Sequence, residues 1–273
     1  MSPAASERAG GIRTPAAAGL FYPADAAGLA EAVDALLSAA ERSAPPTDGR
    51  PRAVIVPHAG YRYSGRVAAA AYAACASARG RWPARAVLVG PAHFVRPAGC
   101  AVPRTAAWRT PLGLAPIDAT LRDRALALSG VRADDAPHAR EHALEVQLPF
   151  LARAAGAQTP VLPVAAHAPP SAVADLLEAV TDADTLVIAS TDLSHYLPDA
   201  EARKRDASTI DSVLRLRPDL IADHAACGAH ALRGLLTWAG RADLRPRLLA
   251  YATSADAGGG PERVVGYAAF ALG

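Results

Sequence analysis

LVIASTDLSHY, residues 186–196, decides how the rest of the chain is read. An unbroken apolar run, Leu186 to Ala189, runs into a polar turn carrying Asp192 and His195. A strand apolar at successive positions, rather than alternate ones, is buried on both faces, as in a parallel sheet covered by helices. The same design occurs twice more, in AVIVPHAGY (Ala53 to Tyr61, with His58) and AVLVGPAHF (Ala86 to Phe94, with His93). Such sheets bind ligands just beyond the carboxyl ends of their strands. His58, His93 and His195, with Asp192, are therefore expected to converge on one crevice. Three imidazoles and a carboxylate together point first to a metal site.

Working outward, strands alternate with helical patterns. Asp25 can cap a helix through about Ala40, with Leu29, Val33, Leu36 and Leu37 on one face. An alanine-rich helix is expected over 64–78, an excursion of short strands over 97–117, and a helix over 119–128. Pro137 starts a helix through HAREHALEVQ that ends near Pro149. Strand 160–164, helix 170–180 and a long helix over 199–216 follow, and Cys227-Gly228 opens the helix HALRGLLTWAG. Strands 248–253 and 264–272 close the chain and can add an antiparallel edge. The pattern predicts an α/β fold, a single-domain three-layer sandwich with a central, mostly parallel sheet. Residues 1–12 read as a flexible tail, and no linker divides 13–273.

The bulk composition excludes several classes. Of 273 residues, 51% are hydrophobic and 20% charged, which is globular. The net charge of +2 gives no electrostatic case for nucleic acid or an anionic membrane. No apolar run approaches the roughly 20 residues of a membrane span. The three cysteines, Cys75, Cys100 and Cys227, are too scattered for a disulfide framework. With no signal peptide pattern, the chain reads as cytoplasmic with reduced thiols. The alanine and arginine bias points to a bacterial source.

Taken singly, His58 and His93 read first as hydrogen-bonded strand-end histidines and only then as metal ligands or general bases; three such turns together shift the reading toward a site. Asp192 and His195 could both bind a metal, or Asp192 could orient His195; otherwise Asp192 caps the next helix and His195 packs. Cys227, at a helix start, has the setting that lowers a thiol pKa, so thiolate ligand and nucleophile are both open, against a buried small hydrophobe. His230 follows it by three and could share its face. HAREH (His138 to His142) matches the inverted zinc-peptidase pattern H-x-x-E-H, although Pro137 places His138 outside the helix proper. Glu141, His142 and Glu145 are polar candidates at the crevice mouth, or a solvated helix start. Tyr61, Tyr63 and Tyr196 could line a pocket for an aromatic or peptidyl group. His167 and His224 have no distinctive context.

PHAGYRYSG, VGPAHF, EHALEVQLPF, STDLSHY and ACGAHAL, in this order and after the opening RTPAAAGLFYPAD, resemble the Memo family. Its prokaryotic members are called AmmeMemoRadiSam system protein B. The resemblance runs from about Arg13 to the C-terminus. It implies a fold like that of class III extradiol ring-cleavage dioxygenases. It also implies that His58, His93 and Cys227 bind metal, Fe(II) or copper, with Asp192 and His195 in the same crevice. Phe94 stands where many members have a second histidine. The human member is described as an adaptor that binds phosphotyrosine peptides, and is linked to iron or copper redox chemistry.

Three functions are consistent with this. In a non-heme iron oxygenase-like enzyme, His58, His93 and Cys227 would be ligands. His195 would be the acid/base group oriented by Asp192, and Tyr61, Tyr196, Glu141 and His142 would contact a small aromatic or peptidyl substrate. A non-catalytic metal- or phosphopeptide-binding protein would instead work with products of neighbouring AmmeMemoRadiSam genes. A metal-free hydrolase would use Cys227, His195 and Asp192.

Overall fold

A computed structural model of the chain describes residues 10–43, 49–77, 82–156 and 158–273. The first elements are β1 (Ile12–Arg13), α1 (Ala26–Ser43), β2 (Ala53–Val56), α2 (Tyr61–Ser77) and β3 (Arg85–Gly90). Next come β4 (Gly99–Val102), β5 (Ala107–Thr110), β6 (Gly113–Pro116), α3 (Ala119–Leu126), β7 (Val131–Ala133), α4 (Ala136–Ala139) and α5 (Gln147–Ala154). They are followed by β8 (Val161–His167), α6 (Pro170–Val180), β9 (Thr185–Ser190), β10 (His195–Leu197) and α7 (Asp199–Leu214). The last are α8 (Ala229–Arg241), β11 (Pro246–Thr253) and β12 (Val264–Leu272).

The large sheet has the order β10-β12-β2-β9-β3-β8-β4-β7, with β11 also on β12. Its centre, β2-β9-β3-β8, is parallel. Strand β12 enters antiparallel to β2, so the late strands form the antiparallel side. The three strands chosen from the sequence are thus adjacent, and their carboxyl ends lie side by side.

Both faces of these strands are covered, which is why their apolar runs are continuous. Ala53, Ile55, Val87, Val89, Val187 and Ala189 face one core, shared with residues of α3, α6 and α8. Val54, Val56, Ala86, Leu88, Leu186 and Ile188 face the other, shared with α1, α2 and α5. The result is helix, sheet, helix, as expected. In α1, Asp25 accepts the Gly28 N–H at 2.7 Å, and Leu29, Val33 and Leu37 are buried.

The sequence reading differs from the structure in two places that matter for the site. The expected helix from Pro137 to Pro149 is broken. The short α4 ends at Ala139, Glu141 and His142 are irregular, residues 143–146 form a turn, and α5 begins at Gln147. Pro149 is the third residue of α5, where its missing N–H would have had no partner inside the helix. His195 lies not in a free turn but in β10, paired with Val265 of β12. Of the expected tail over 1–12, residues 1–9 lie outside the described residues. Ile12 is already in β1, opposite Ala107 in a small sheet of β1, β5 and β6.

Candidate metal centre

Each central strand delivers one or more polar groups at its carboxyl end. His58 follows β2, His93 follows β3, and Ser190, Thr191 and Asp192 end or follow β9. The broken segment after α4 lays Glu141 and His142 across them. Among the described residues, one ligand nitrogen from each of His58, His93 and His142 lies within 4.8 Å of the others. The His93 and His142 rings stack at 4.9 Å, and His58 meets them edge-on at 5.3 and 5.5 Å.

Hydrogen bonding fixes which nitrogens can face a cation. Ser190 Oγ donates its one proton to the Ala143 carbonyl at 2.6 Å. It accepts from Gln147 Nε2 at 3.0 Å and has only an acceptor left for His58 Nδ1 at 3.0 Å. The amide of Gln147 cannot be reversed, because its nitrogen also donates to the Pro57 carbonyl. His58 is therefore protonated at Nδ1 and presents a lone pair at Nε2. In the same way, His93 Nδ1 is held by Glu141 Oε1 at 2.9 Å, which leaves Nε2 for a metal. A carboxylate behind a ligand imidazole is a recurring support in metal sites.

Glu141 is fully buried and makes this support through several contacts. It accepts the backbone N–H of His93 and that of Ala143, and lies 3.4 Å from His142 Nδ1. Burial alone would raise its pKa, but these donors outweigh it and hold the carboxyl near 2. Burial opposes a charge on His93 too, yet Glu141 prevails and raises that pKa. Burial, with His93 beside it, pushes His58 down to about 3. Burial and His58 push His142 down to about 4. Two imidazoles are thus kept neutral, the form that binds metal.

Cys227 stands next to this group. Its Sγ lies 3.2 Å from His58 Nε2, and it accepts the Asp192 N–H at 3.2 Å. Since His58 Nε2 carries the lone pair, the thiol proton belongs between them. A helix start was expected to favour thiolate. Instead, burial and then the charge of Asp192 push the thiol pKa up. Gly228 after it is required by close packing: a Cβ there would stand 2.9 Å from the Ser190 carbonyl oxygen.

Other expected residues take different places. Asp192 does not orient His195. Its Oδ1 accepts the His58 backbone N–H at 2.7 Å, while His195 Nδ1 is fixed by the Leu193 carbonyl at 2.8 Å. Cys227 likewise pairs with His58 and not with His195, so the Cys227-His195-Asp192 hydrolase arrangement is not formed. Tyr61 is core: its hydroxyl donates to the Val146 carbonyl at 2.7 Å and its ring packs on Phe150. Tyr196 is 64% exposed at the rim, under the Arg263 guanidinium. His138 is buried against Trp108 and the Ala101 carbonyl, away from His142, which removes the zinc-peptidase reading of HAREH.

Two supporting parts were not foreseen. Phe21 stacks on His142 at 4.2 Å and forms a wall of the crevice. Glu145, read as a crevice-mouth group, is buried and anchors the N-terminal segment. It pairs with Arg13 and accepts the N–H groups of Ala16 and Ala17 and the Tyr22 hydroxyl. Arg13 also donates to the carbonyls of His138 and Glu141. The spacing of buried charges in the opening segment and in EHALEV was the available signal, but their pairing spans about the first half of the chain.

The donor set fits a divalent metal. Imidazole ligands bind at about 2.0–2.1 Å, so nitrogens within 4.8 Å of one another close on one ion with small shifts. Imidazole suits iron, copper, zinc and nickel, and an adjacent thiol adds a soft donor.

Residues 13–271 match the family model described as Memo-like protein. A MEMO1 family protein of Aquifex aeolicus is 38% identical over 213 residues, 76% of each chain. One from Methanopyrus kandleri is 34% identical over 278 residues, covering 94% of this chain and 97% of its own. An uncharacterized protein of Escherichia coli K12 has a similar crystal structure, with a TM-score of 0.52 at 15% identity. That match covers 80% of this chain and 99% of the other, and concerns the fold alone.

Proposed function

The chain belongs to the Memo-like family, and from that premise we propose that it is a metal-dependent redox enzyme of the non-heme iron type. Copper is the second metal that the donor set suits. The observation that carries this reading is the convergence of His58, His93 and His142, with two of the three imidazoles held neutral. When bound, iron supplies one-electron redox chemistry and Lewis acidity, with positions left open for a substrate.

The protein's own groups define what can happen there. Glu141 and Ser190 fix the ring orientations of His93 and His58 before any cation arrives. Cys227, its Sγ 3.2 Å from His58 Nε2, would be the fourth donor once its proton is displaced. His195, with Nδ1 committed to the Leu193 carbonyl, keeps Nε2 free to take or give a proton at the rim. Phe21 and Phe94 near His142 give the crevice an aromatic wall suited to a small aromatic or peptidyl group.

A second reading is a non-catalytic metal- or peptide-binding protein that works with a neighbouring radical-enzyme system. The exposed apolar rim favours it, with Leu20 80% and Phe94 51% exposed.

Anaerobic Fe(II) titration by calorimetry tests the site. His58→Ala, His93→Ala and His142→Ala are each expected to weaken binding by about 100-fold or more. Cys227→Ser measures whether the thiol is a ligand. Tight binding followed by oxygen uptake with a phenolic or peptidyl compound supports the enzyme. Tight binding without turnover supports the second reading. Affinity unchanged by the three histidine variants overturns the shared site.

A further inference from the structure

A second cavity of about 240 Å³ opens beside the histidine cluster, at the carboxyl ends of β3 and β8. Arg96, His167, Asp223, Cys227 and His230 line it. The rings of His167 and His230 meet edge to face, 4.3 Å apart. His230 Nδ1 is held by the Ala168 carbonyl at 3.2 Å. The His167 backbone pairs with β4, but no hydrogen bond among the described residues holds its ring, which is therefore free to present an N–H.

The charges around this cavity are uneven. Asp223 is already paired with Arg233. Arg96 has no ion pair among the described residues, so its planar fork of donors is uncommitted. The 13-residue helix α8 starts here with Gly228 as N-cap, whose own N–H is taken by Thr191 Oγ1 at 2.9 Å. The Ala229 N–H is also taken, by the Ala226 carbonyl, so what the helix adds to this side is its positive dipole end. A fork of donors, an unfixed imidazole and a helix start converge on one hollow whose acid is neutralised.

We propose that this cavity binds a small organic anion through a carboxylate or phosphate head. Cys227 is common to both sites: it contacts His58 on one side and lines this cavity on the other. A molecule anchored here by its charged end can extend past Cys227 toward the histidines. The anion site does not require the metal reading; where both hold, it recognises the charged end of the substrate.

The metal-free full-length protein is titrated with succinate and, separately, with inorganic phosphate. Ring ¹H–¹⁵N signals of the histidines are followed, and His167→Gln and His230→Gln identify two of them. Saturable shifts of these two signals are expected, with Kd in the millimolar range. Arg96→Ala, at an exposed position, is expected to weaken binding about tenfold, ~1.4 kcal/mol. Saturation by phosphate alone assigns a phosphate head, and by succinate alone a carboxylate. The proposal is overturned if neither anion gives saturable shifts or if Arg96→Ala binds as tightly as wild type. Shifts confined to His58, His93 and His142 overturn it too. Because no metal is present, these outcomes are independent of the Fe(II) titration.

Discussion

Glu141 sets the charge state of the crevice. It is fully buried, negative, and bonded to His93 through both backbone and ring. Glu141→Gln keeps the shape and removes the charge. His93 should then lose its raised pKa, and metal affinity should fall about 10–100-fold. Ring NMR and calorimetry read the two effects, and unchanged affinity would detach Glu141 from the site. The buried histidines also predict acid lability. Burial holds His58 near 3, and His138 and His142 near 4, against about 6.5 when unfolded. Below pH 6.5 the unfolded chain takes up protons that the folded one refuses. Stability is therefore full above 6.5 and lost toward pH 4, by up to about 1.4 kcal/mol per pH unit for each group. His93 has the opposite sign: its contribution is present below 6.5 and lost as pH rises through its elevated value. Three groups outweigh one, so the urea midpoint of metal-free protein should fall from pH 7 to 4.5. A flat midpoint would show that the three rings are not held neutral.

At the scale of elements, the segment from Arg13 to Tyr22 works as a strap. Arg13 and Glu145 are both buried, and each also holds backbone groups of the other's segment. Arg13→Met leaves a buried carboxylate without its cation, a loss of about 3–5 kcal/mol in urea unfolding. Adding Glu145→Gln should recover part of it, since the uncompensated charge is then gone; no recovery would mean that packing against Trp108, not charge, carries the effect. The strap also explains what the sequence concealed. The strand-turn-histidine pattern was legible because each instance is local. The role of His142 was not, because the periodicity of HAREHALEVQ suggested one helix and placed the ring at its mouth. The chain instead breaks after Ala139, and Arg13, about 130 residues earlier, holds the carbonyls of His138 and Glu141 in that break. Partners that distant leave no spacing to read.

For the whole molecule, the layer architecture was legible from short continuous apolar runs bounded by turn signals, the pattern of a doubly covered sheet. The placement of β12 was less so: it read as an edge, yet it lies between β2 and the β10 and β11 pairings. Its residues Tyr267 to Leu272 are buried, with Phe270 in one core and Tyr267 in the other. Removal of 264–272 should therefore abolish cooperative unfolding, as followed by circular dichroism. A sharp transition in the shortened chain would show that β2 does not need this neighbour.

The pairing of Ala53 with Leu272 has a consequence for biogenesis. Strands β2, β9 and β3, with His58 and His93 at their tips, leave the ribosome well before β12 does. At ~5–20 residues per second, roughly four to fifteen seconds separate β9 from the start of β12. Throughout that interval the flank of β2 is an open, apolar hydrogen-bonding edge, the kind that recruits other strands. The newborn chain thus passes through a stage in which its most chemically important strand is also its stickiest, and a holding chaperone would act there.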